Sequence, residues 1–116
     1  MKITQRVEGE VTVFLPEGRI DTQAAANMDQ ALQAAVSEGR HNVVMDMAEV
    51  EYIGSAGLRA LAAVLVRTRA EGGDMKLAAL NERVTRVFSI IGFDVLMSIH
   101  DTPEAAIAEF SANAAS

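Results

Sequence analysis

The stretch that decides the fold is VVMDMAEVEYIGSAGL, residues 43–58. It begins with a continuous apolar run, which is typical of a strand that is buried on both faces of a sheet. After a short polar break, Leu58, Leu61 and Leu65 follow the spacing of one helix face. Ser55 stands just before this pattern, where a serine commonly caps the first turn of a helix. The stretch therefore predicts a buried strand, a turn and a helix that starts at Ser55.

The segments on either side alternate between strand and helix patterns. Residues 3–7 and 11–15 alternate between apolar and polar side chains around a glycine-containing turn, which predicts an antiparallel hairpin. Apolar runs at residues 75–80 and 95–99 predict two more strands. Four helices are predicted, and they begin at Asp21–Thr22, Ser55, Asn81 and Thr102.

The order of these elements is β-β-α-β-α-β-α-β-α. Alternating strands and helices predict an α/β fold with a mostly parallel sheet, and the initial hairpin adds an antiparallel edge. We expect one domain at residues 1–112, because the chain has 116 residues and 50% of them are hydrophobic. The small residues at 113–116 predict a frayed tail.

The composition excludes several kinds of site. With no cysteine, the chain can form neither a disulfide nor a thiolate nucleophile, and His41 and His100 are too far apart in sequence to suggest a metal site. The net charge of −6 opposes nonspecific binding to nucleic acid or anionic lipid. No apolar run is long enough to span a bilayer, and no secretory signal is visible. We therefore expect a cytoplasmic protein without a cofactor.

Three turns gather at the edge of the predicted sheet where the parallel strands end, which is where α/β proteins usually bind ligands and partners. These turns are residues 18–21, 53–55 and 79–81. A serine at a helix start can be a simple cap. The same position also tolerates a phosphate group, because the first-turn amides point toward it. Residue patterns alone favour the cap.

Ser55 lacks the partners that a catalytic serine needs. His41 precedes a strand, so it should lie at the opposite edge of the sheet. His100 follows a strand and could approach Ser55 only if their strands lie close together. No G-x-S-x-G elbow surrounds Ser55. No lysine follows residues 54–57, so they are not a P-loop. Asp46 lacks the acidic pair of an aspartate phosphoacceptor, and we interpret it as a strand-end carboxylate that accepts loop amides. We therefore predict that the protein is not an enzyme.

Two further groups of surface residues are expected. A solvated charged face is formed by Arg67, Arg69, Glu71, Asp74 and Lys76. A small apolar partner surface near the Ser55 turn is formed by Ile53, Leu58, Ile91, Gly92 and Phe93.

Residues 46–58, DMAEVEYIGSAGL, resemble the signature of the STAS domain family, in particular that of the bacterial anti-sigma factor antagonists. Residues 18–21, GRID, resemble the Gly-x-Leu-Asp turn of that family, and the resemblance extends over essentially the whole chain. Ser55 matches the serine that is phosphorylated in such antagonists, and Gly57 matches the glycine that follows.

Two positions depart from the family pattern. Gly54 stands where the family usually has an aspartate, and Ala56 stands where a second serine or threonine is common. The acceptor serine is therefore retained without its acidic neighbour.

The resemblance implies a regulatory role with Ser55 as a phosphorylation site. The unmodified domain would bind a serine kinase that doubles as an anti-sigma factor, and it would thereby release the sigma factor. Phosphorylation would end this binding, and a metal-dependent serine phosphatase would restore it. The resemblance places the partner-binding surface at Asp21, Gly54, Ser55, Ala56, Gly57 and Leu58. For Asp21, a helix cap and a partner contact are both open.

An alternative role is also known for STAS domains. They occur as stand-alone accessory subunits of lipid-transport ABC systems, where they pack on an ATPase. The serine need not be phosphorylated in that class, so this alternative treats Ser55 as a structural residue.

Overall fold

The computed structural model describes residues 1–115 and shows a mixed β-sheet with helices on both faces. The strands are β1 Ile3–Glu8, β2 Val11–Pro16, β3 Gly18–Ile20, β4 Asn42–Asp46, β5 Val50–Ile53, β6 Asp74–Ala78 and β7 Ile99–His100. The helices are α1 Thr22–Ser37, α2 Ser55–Ala70, α3 Glu82–Ile91, α4 Phe93–Leu96 and α5 Pro103–Ala115. No helix in this described part of the chain is both long and apolar enough to cross a membrane.

The main sheet has five strands in the order β1-β2-β4-β6-β7. β1 runs antiparallel to β2, with Ile3 opposite Pro16 and Glu8 opposite Val11. The other neighbouring pairs are parallel. The predicted α/β fold, with a mostly parallel sheet and an antiparallel hairpin at one edge, is confirmed.

A second, two-stranded sheet was not predicted. β3 and β5 pair in parallel, with Ile20 opposite Ile53. Both strands are too short to show a clear alternation in sequence, so they resembled turns. This small ladder lies just before α1 and α2, and it fixes how the two helices begin.

The prediction of a strand at residues 95–99 is wrong. Gly92 adopts a left-handed conformation, with φ of 81°, and so ends α3 and allows the short helix α4 to follow. Val95 belongs to α4 and is 89% exposed, and the strand is limited to Ile99–His100. The described chain therefore has five helices where four were expected.

The end of the chain is helical as far as residue 115. Residues 113–115, where a frayed tail is expected, continue helix α5, and the expectation of fraying stays a prediction. Ser116, the remaining residue of that predicted tail, lies outside the described residues.

The core consists of two layers on opposite faces of the main sheet. The larger layer lies beneath α1, α2 and α3, and it contains the fully buried side chains of Phe14, Met45 and Leu77. The smaller layer lies beneath α5. Its buried members are Val11, Val13, Val44, Ala78 and Ala106.

The predicted charged face is not uniformly solvated. Lys76 is only 2% exposed, because it lies between the sheet and α5. Its ammonium group contacts the carboxylates of Glu109 and Asp74, and it lies 4.7 Å from the centre of the Phe110 ring. Arg67 also differs from the prediction, since its guanidinium donates hydrogen bonds across to helix α1.

Candidate functional site

The amino-terminal ends of α1 and α2 lie side by side where the parallel strands end. The backbone N–H of Gly54 donates to the carbonyl of Ile20 at 3.0 Å, which continues the β3–β5 ladder by one bond. Asp21 follows Ile20 and Ser55 follows Gly54, so the structure brings these two predicted site residues into adjacent turns. Parallel strands direct their carboxyl ends to the same edge, and each strand here leads directly into a helix.

Asp21 is the amino-terminal cap of α1. Its carboxylate accepts a hydrogen bond from the backbone N–H of Ala24 at 2.9 Å. The cap interpretation is thereby confirmed. The residue is also exposed, so the cap leaves room for a partner contact, which stays a prediction.

Ser55 is not the cap of α2, and this prediction is wrong. Gly54 is the cap residue, with extended backbone angles (φ −93°, ψ 179°), and it has no side chain to accept a first-turn amide. Ser55 is instead the first helical residue and is exposed. Its hydroxyl has no hydrogen-bond partner within the described chain, so it is presented to solvent at the helix mouth.

An aromatic ring and a cation occupy the surface beside Gly54. A β-carbon built on Gly54 would lie 3.1 Å from the Tyr52 hydroxyl, so the phenol packs close to this backbone. The Arg19 guanidinium lies 4.5 Å from the centre of the Tyr52 ring, which is a cation–π distance. The sequence analysis missed this pair. Arg19 and Tyr52 face each other across the β3–β5 ladder, so only recognition of that ladder could have revealed them.

Gly57 allows α2 to lie directly on the ladder. A β-carbon at this position would be 2.7 Å from Cγ1 of Ile53 and 2.8 Å from Cγ2 of Ile20. Real side chains essentially never approach so closely. The absence of a side chain at Gly57 therefore allows the short distance between α2 and the β3–β5 ladder. Gly57 is buried, so it would not contact a partner itself. It contributes to the predicted partner surface by fixing the position of its neighbours on α2.

Ala56 and Leu58 complete the predicted surface. Both are half-buried and pack against the larger core layer, so each leaves only part of its side chain in solvent. The predicted apolar partner surface is wrong for Ile53, which is 3% exposed. Ile91 does retain 44% exposure.

A third turn at the same edge is held by Asn81. Its side-chain oxygen caps α3 by accepting from Val84 N–H at 2.8 Å, and its amide nitrogen donates to the carbonyl of Val50 at 3.0 Å. The predicted cap at Asn81 is confirmed, and the same side chain also joins the start of α3 to strand β5. The three turns expected at this edge are therefore connected through β5.

Within the described residues, none of the groups that could suggest catalysis hydrogen-bonds to Ser55. The Asp46 carboxylate accepts a hydrogen bond from Ala48 N–H at 3.1 Å, as its interpretation as a loop acceptor predicted. His41 precedes β4 at the opposite edge, and His100 lies 3.2 Å from Glu109 on α5. Within the described residues, no group of three or more histidine, cysteine or acidic side chains could hold a metal ion.

Comparison with known protein families identifies the family to which this fold belongs. A family model described as the STAS domain matches residues 2–106, which is most of the chain. The chain belongs to the STAS domain family. The resemblance stated from residues 18–21 and 46–58 is thereby confirmed.

Several relatives of this chain are named as anti-sigma factor antagonists. BtrV of Bordetella bronchiseptica, assigned by name to that class, is 33% identical over 95% of both chains. A Thermotoga maritima protein of known structure, assigned to the same class, is 23% identical over 92% of both chains, with a TM-score of 0.88.

The fold is also that of SpoIIAA, an anti-sigma factor antagonist from Bacillus whose structure is known with and without phosphorylation. The unphosphorylated form gives a TM-score of 0.77 at 18% identity, over 95% of this chain and 98% of SpoIIAA. The phosphorylated form gives 0.75 at 19% identity, over 94% and 99%. At these identities the comparison establishes the fold.

Proposed function

We propose that this STAS protein is an anti-sigma factor antagonist that is switched off by phosphorylation of Ser55. The family assignment and the names of its relatives support the general role. The observation that carries the site is the exposed position of Ser55 as the first residue of α2. A kinase can reach such a hydroxyl without unfolding the helix. The role is one of regulated binding.

Phosphorylation would change the surface more than the fold. A phosphoserine carries a charge of about −1.5 to −2 at neutral pH. The amino terminus of a 16-residue helix favours that charge, by about 0.3–1 kcal/mol for an exposed group. Gly54 provides no side-chain acceptor for the first-turn amides, so those N–H groups can bind the phosphate. The modified protein keeps its structure, and the new charge opposes the partner interface.

The proposed partner of the unmodified protein is an anti-sigma factor with serine kinase activity. A metal-dependent serine phosphatase would regenerate the binding form, and the cycle would take place in the cytoplasm. The proposed contact surface is formed by Asp21, Gly54, Ser55, Ala56, Gly57 and Leu58. Within this surface, the exposed atoms come mainly from Asp21 and Ser55, and Gly57 acts by setting the helix position.

One observation favours a second candidate function. The residue before Ser55 is Gly54, so this position has no carboxylate. A STAS subunit of a lipid-transport ABC system, which packs on an ATPase without phosphorylation, would not need that acidic neighbour. The first experiment must therefore separate the two roles.

The experiment compares captured partners for three immobilised proteins: wild type, Ser55→Asp and Ser111→Asp. Ser111 is an exposed serine on α5, on the other face of the sheet, so Ser111→Asp adds the same charge away from the site. Mass spectrometry of proteins bound from native lysate identifies the partner. We expect wild type and Ser111→Asp to retain a serine kinase, and Ser55→Asp to lose it.

Incubation of the captured kinase with ATP and wild type should then add one phosphate, and Ser55→Ala should accept none. A transporter ATPase retained equally by all three baits would replace the switch with the accessory-subunit role. If Ser55→Asp retained the kinase as well as wild type does, the proposal that a negative charge at Ser55 ends kinase binding would be wrong.

A further inference from the structure

Strand β1 leaves one edge of the main sheet without a neighbour in the described chain. It is the first strand in the sheet order, and it pairs with β2 in an unbroken register from Ile3 to Glu8. The residues from Thr4 to Glu8 are all exposed, and Val7 exposes 53% of its surface. An edge of this length without a neighbouring strand is a template for pairing with another strand.

The hydrogen bonds within the hairpin show which backbone groups point outward. Glu17 N–H donates to the carbonyl of Lys2 at 3.0 Å, so Lys2 bonds toward the inside of the sheet. Hydrogen-bonding direction alternates along an antiparallel strand. Ile3, Gln5 and Val7 therefore direct their N–H and C=O groups toward the free edge.

From this edge we propose that a second copy of the chain docks on β1, with the two β1 strands antiparallel about a two-fold axis at Gln5. Gln5 then faces Gln5 of the second copy, and Ile3 faces its Val7. All outward backbone groups between Ile3 and Val7 find partners, and both sheets join into one. The inference is independent of the proposed function, because no atom of the Ser55 turn is involved.

The side chains of β1 complement one another in this register. Ile3 and Val7 lie on one face of the strand and would meet their apolar counterparts. On the other face, Lys2, which directly precedes the strand, would lie opposite Glu8 of the second copy. The two-fold axis repeats this pair, so two opposite-charge pairs flank the apolar contacts.

Neighbouring registers of the same hydrogen-bonding phase are unfavourable. A two-fold axis at Arg6 would place Arg6 opposite Arg6, and one at Thr4 would place Lys2 opposite Arg6. Like charges directly opposite each other destabilise a strand pair. Charge complementarity therefore selects the register centred on Gln5, and it selects a second copy as the occupant.

The test reverses one charge of each proposed pair and then mixes the two variants to restore opposite charges. Sedimentation velocity of the full chain measures dimer formation in about 0.15 M salt. At this salt concentration the Debye length of about 8 Å screens the net charge of each copy. Wild type should dimerise reversibly as its concentration rises. Lys2→Glu and Glu8→Lys should each weaken the dimer by about tenfold or more, because two opposite-charge pairs become like-charge pairs. An equimolar mixture of the two variants should restore dimers, as should the double variant Lys2→Glu/Glu8→Lys.

Glu10→Lys is the matched control, since Glu10 is an exposed residue of the adjacent turn and lies outside the proposed register. It should dimerise as wild type does.

Circular dichroism of each variant checks the fold. The Lys2–Glu17 contact of 3.6 Å and the Arg6–Glu8 contact of 3.2 Å within one copy are too exposed for their loss to unfold the protein. A monomeric wild type up to about 1 mM, which corresponds to about −4 kcal/mol of binding, would overturn the inference. Failure of the mixture to restore dimers that each variant had lost would also overturn it.

Discussion

The Lys76 ammonium lies 2.6 Å from the Glu109 carboxylate, and this ion pair joins strand β6 to the last helix, α5. Lys76 also contacts Asp74 at 3.1 Å, and His100 lies 3.2 Å from the other oxygen of Glu109. The lysine side chain is only 3% exposed, so its charge depends on these carboxylates for compensation. The second core layer contains few apolar side chains, which makes this polar connection important for holding α5.

Glu109→Gln should therefore lower the free energy of unfolding by about 1–3 kcal/mol, since it leaves the buried Lys76 ammonium with a single charged partner. Urea denaturation measures this loss. Glu104→Gln, at an exposed glutamate on the same helix, should stay within about 0.5 kcal/mol of wild type. Equal losses in the two variants would show that the Lys76–Glu109 pair has no special role.

The same pair predicts a pH dependence. The hydrogen bond from Lys76 lowers the pKa of Glu109 below its usual value of 4.5, against an opposing effect of burial, and the charges of Lys76 and His100 act in the same direction as the bond. A carboxyl group whose pKa is lower in the folded state stabilises the fold above its unfolded pKa. That contribution is lost as pH falls through the folded pKa. The stability difference between wild type and Glu109→Gln should thus be constant above about pH 6 and shrink below pH 4.5. A difference independent of pH from 3 to 7 would contradict this account.

Gly57→Ala should destabilise the protein by about 1–3 kcal/mol, because the new methyl group would overlap Ile53 and Ile20 and push α2 away from the β3–β5 ladder. Gly54→Ala is the matched control. Its methyl group would meet the movable Tyr52 hydroxyl at 3.1 Å, and the extended backbone of Gly54 suits any residue. Thermal denaturation of both variants checks the prediction, and a loss at Gly54 as large as that at Gly57 would argue against tight packing at Gly57.

The two neighbouring helix starts should respond differently to alanine. Asp21→Ala removes the bond to Ala24 N–H and should cost about 1 kcal/mol of stability. Ser55→Ala should change stability by less than about 0.5 kcal/mol, because Ser55 is exposed and does not cap α2. Urea denaturation distinguishes them, and the stable Ser55→Ala variant then isolates the loss of phosphorylation from any loss of fold. A cost at Ser55 equal to that at Asp21 would reinstate Ser55 as a cap.

The sequence predicted the order of the main strands and helices because each of those elements carries its own periodic pattern. It also identified the caps at Asp21 and Asn81, since both residues stand directly before a helical stripe. The same reasoning placed the cap of α2 at Ser55, one residue after the actual cap, Gly54. Serine is the preferred cap residue by type, but it is Gly54 that has the extended backbone of a cap. Side-chain preference alone does not reveal at which of two neighbouring residues the helical backbone begins.

The features that the sequence did not reveal depend on contacts between distant residues. Lys76 looked solvated because its partner Glu109 comes 33 residues later, on a helix whose packing face was not known. Val95 looked like part of a strand because β-branched apolar residues favour strands, yet the turn at Gly92 directs it into α4. Arg19 and Tyr52 became neighbours only through the short β3–β5 ladder.

The antiparallel hairpin determines where other molecules can be attached. Ile3 lies opposite Pro16, the last residue of β2, so strand β1 begins at the same end of the sheet as the Ser55 turn. Helix α5 runs the other way, and Phe110 and Ser111 line a cleft with Gly9 and Asn42 at the far end. A fluorophore, a fusion domain or a surface linker joined through α5 would therefore leave the Ser55 face open. The same group joined just ahead of strand β1 would stand beside the Ser55 turn.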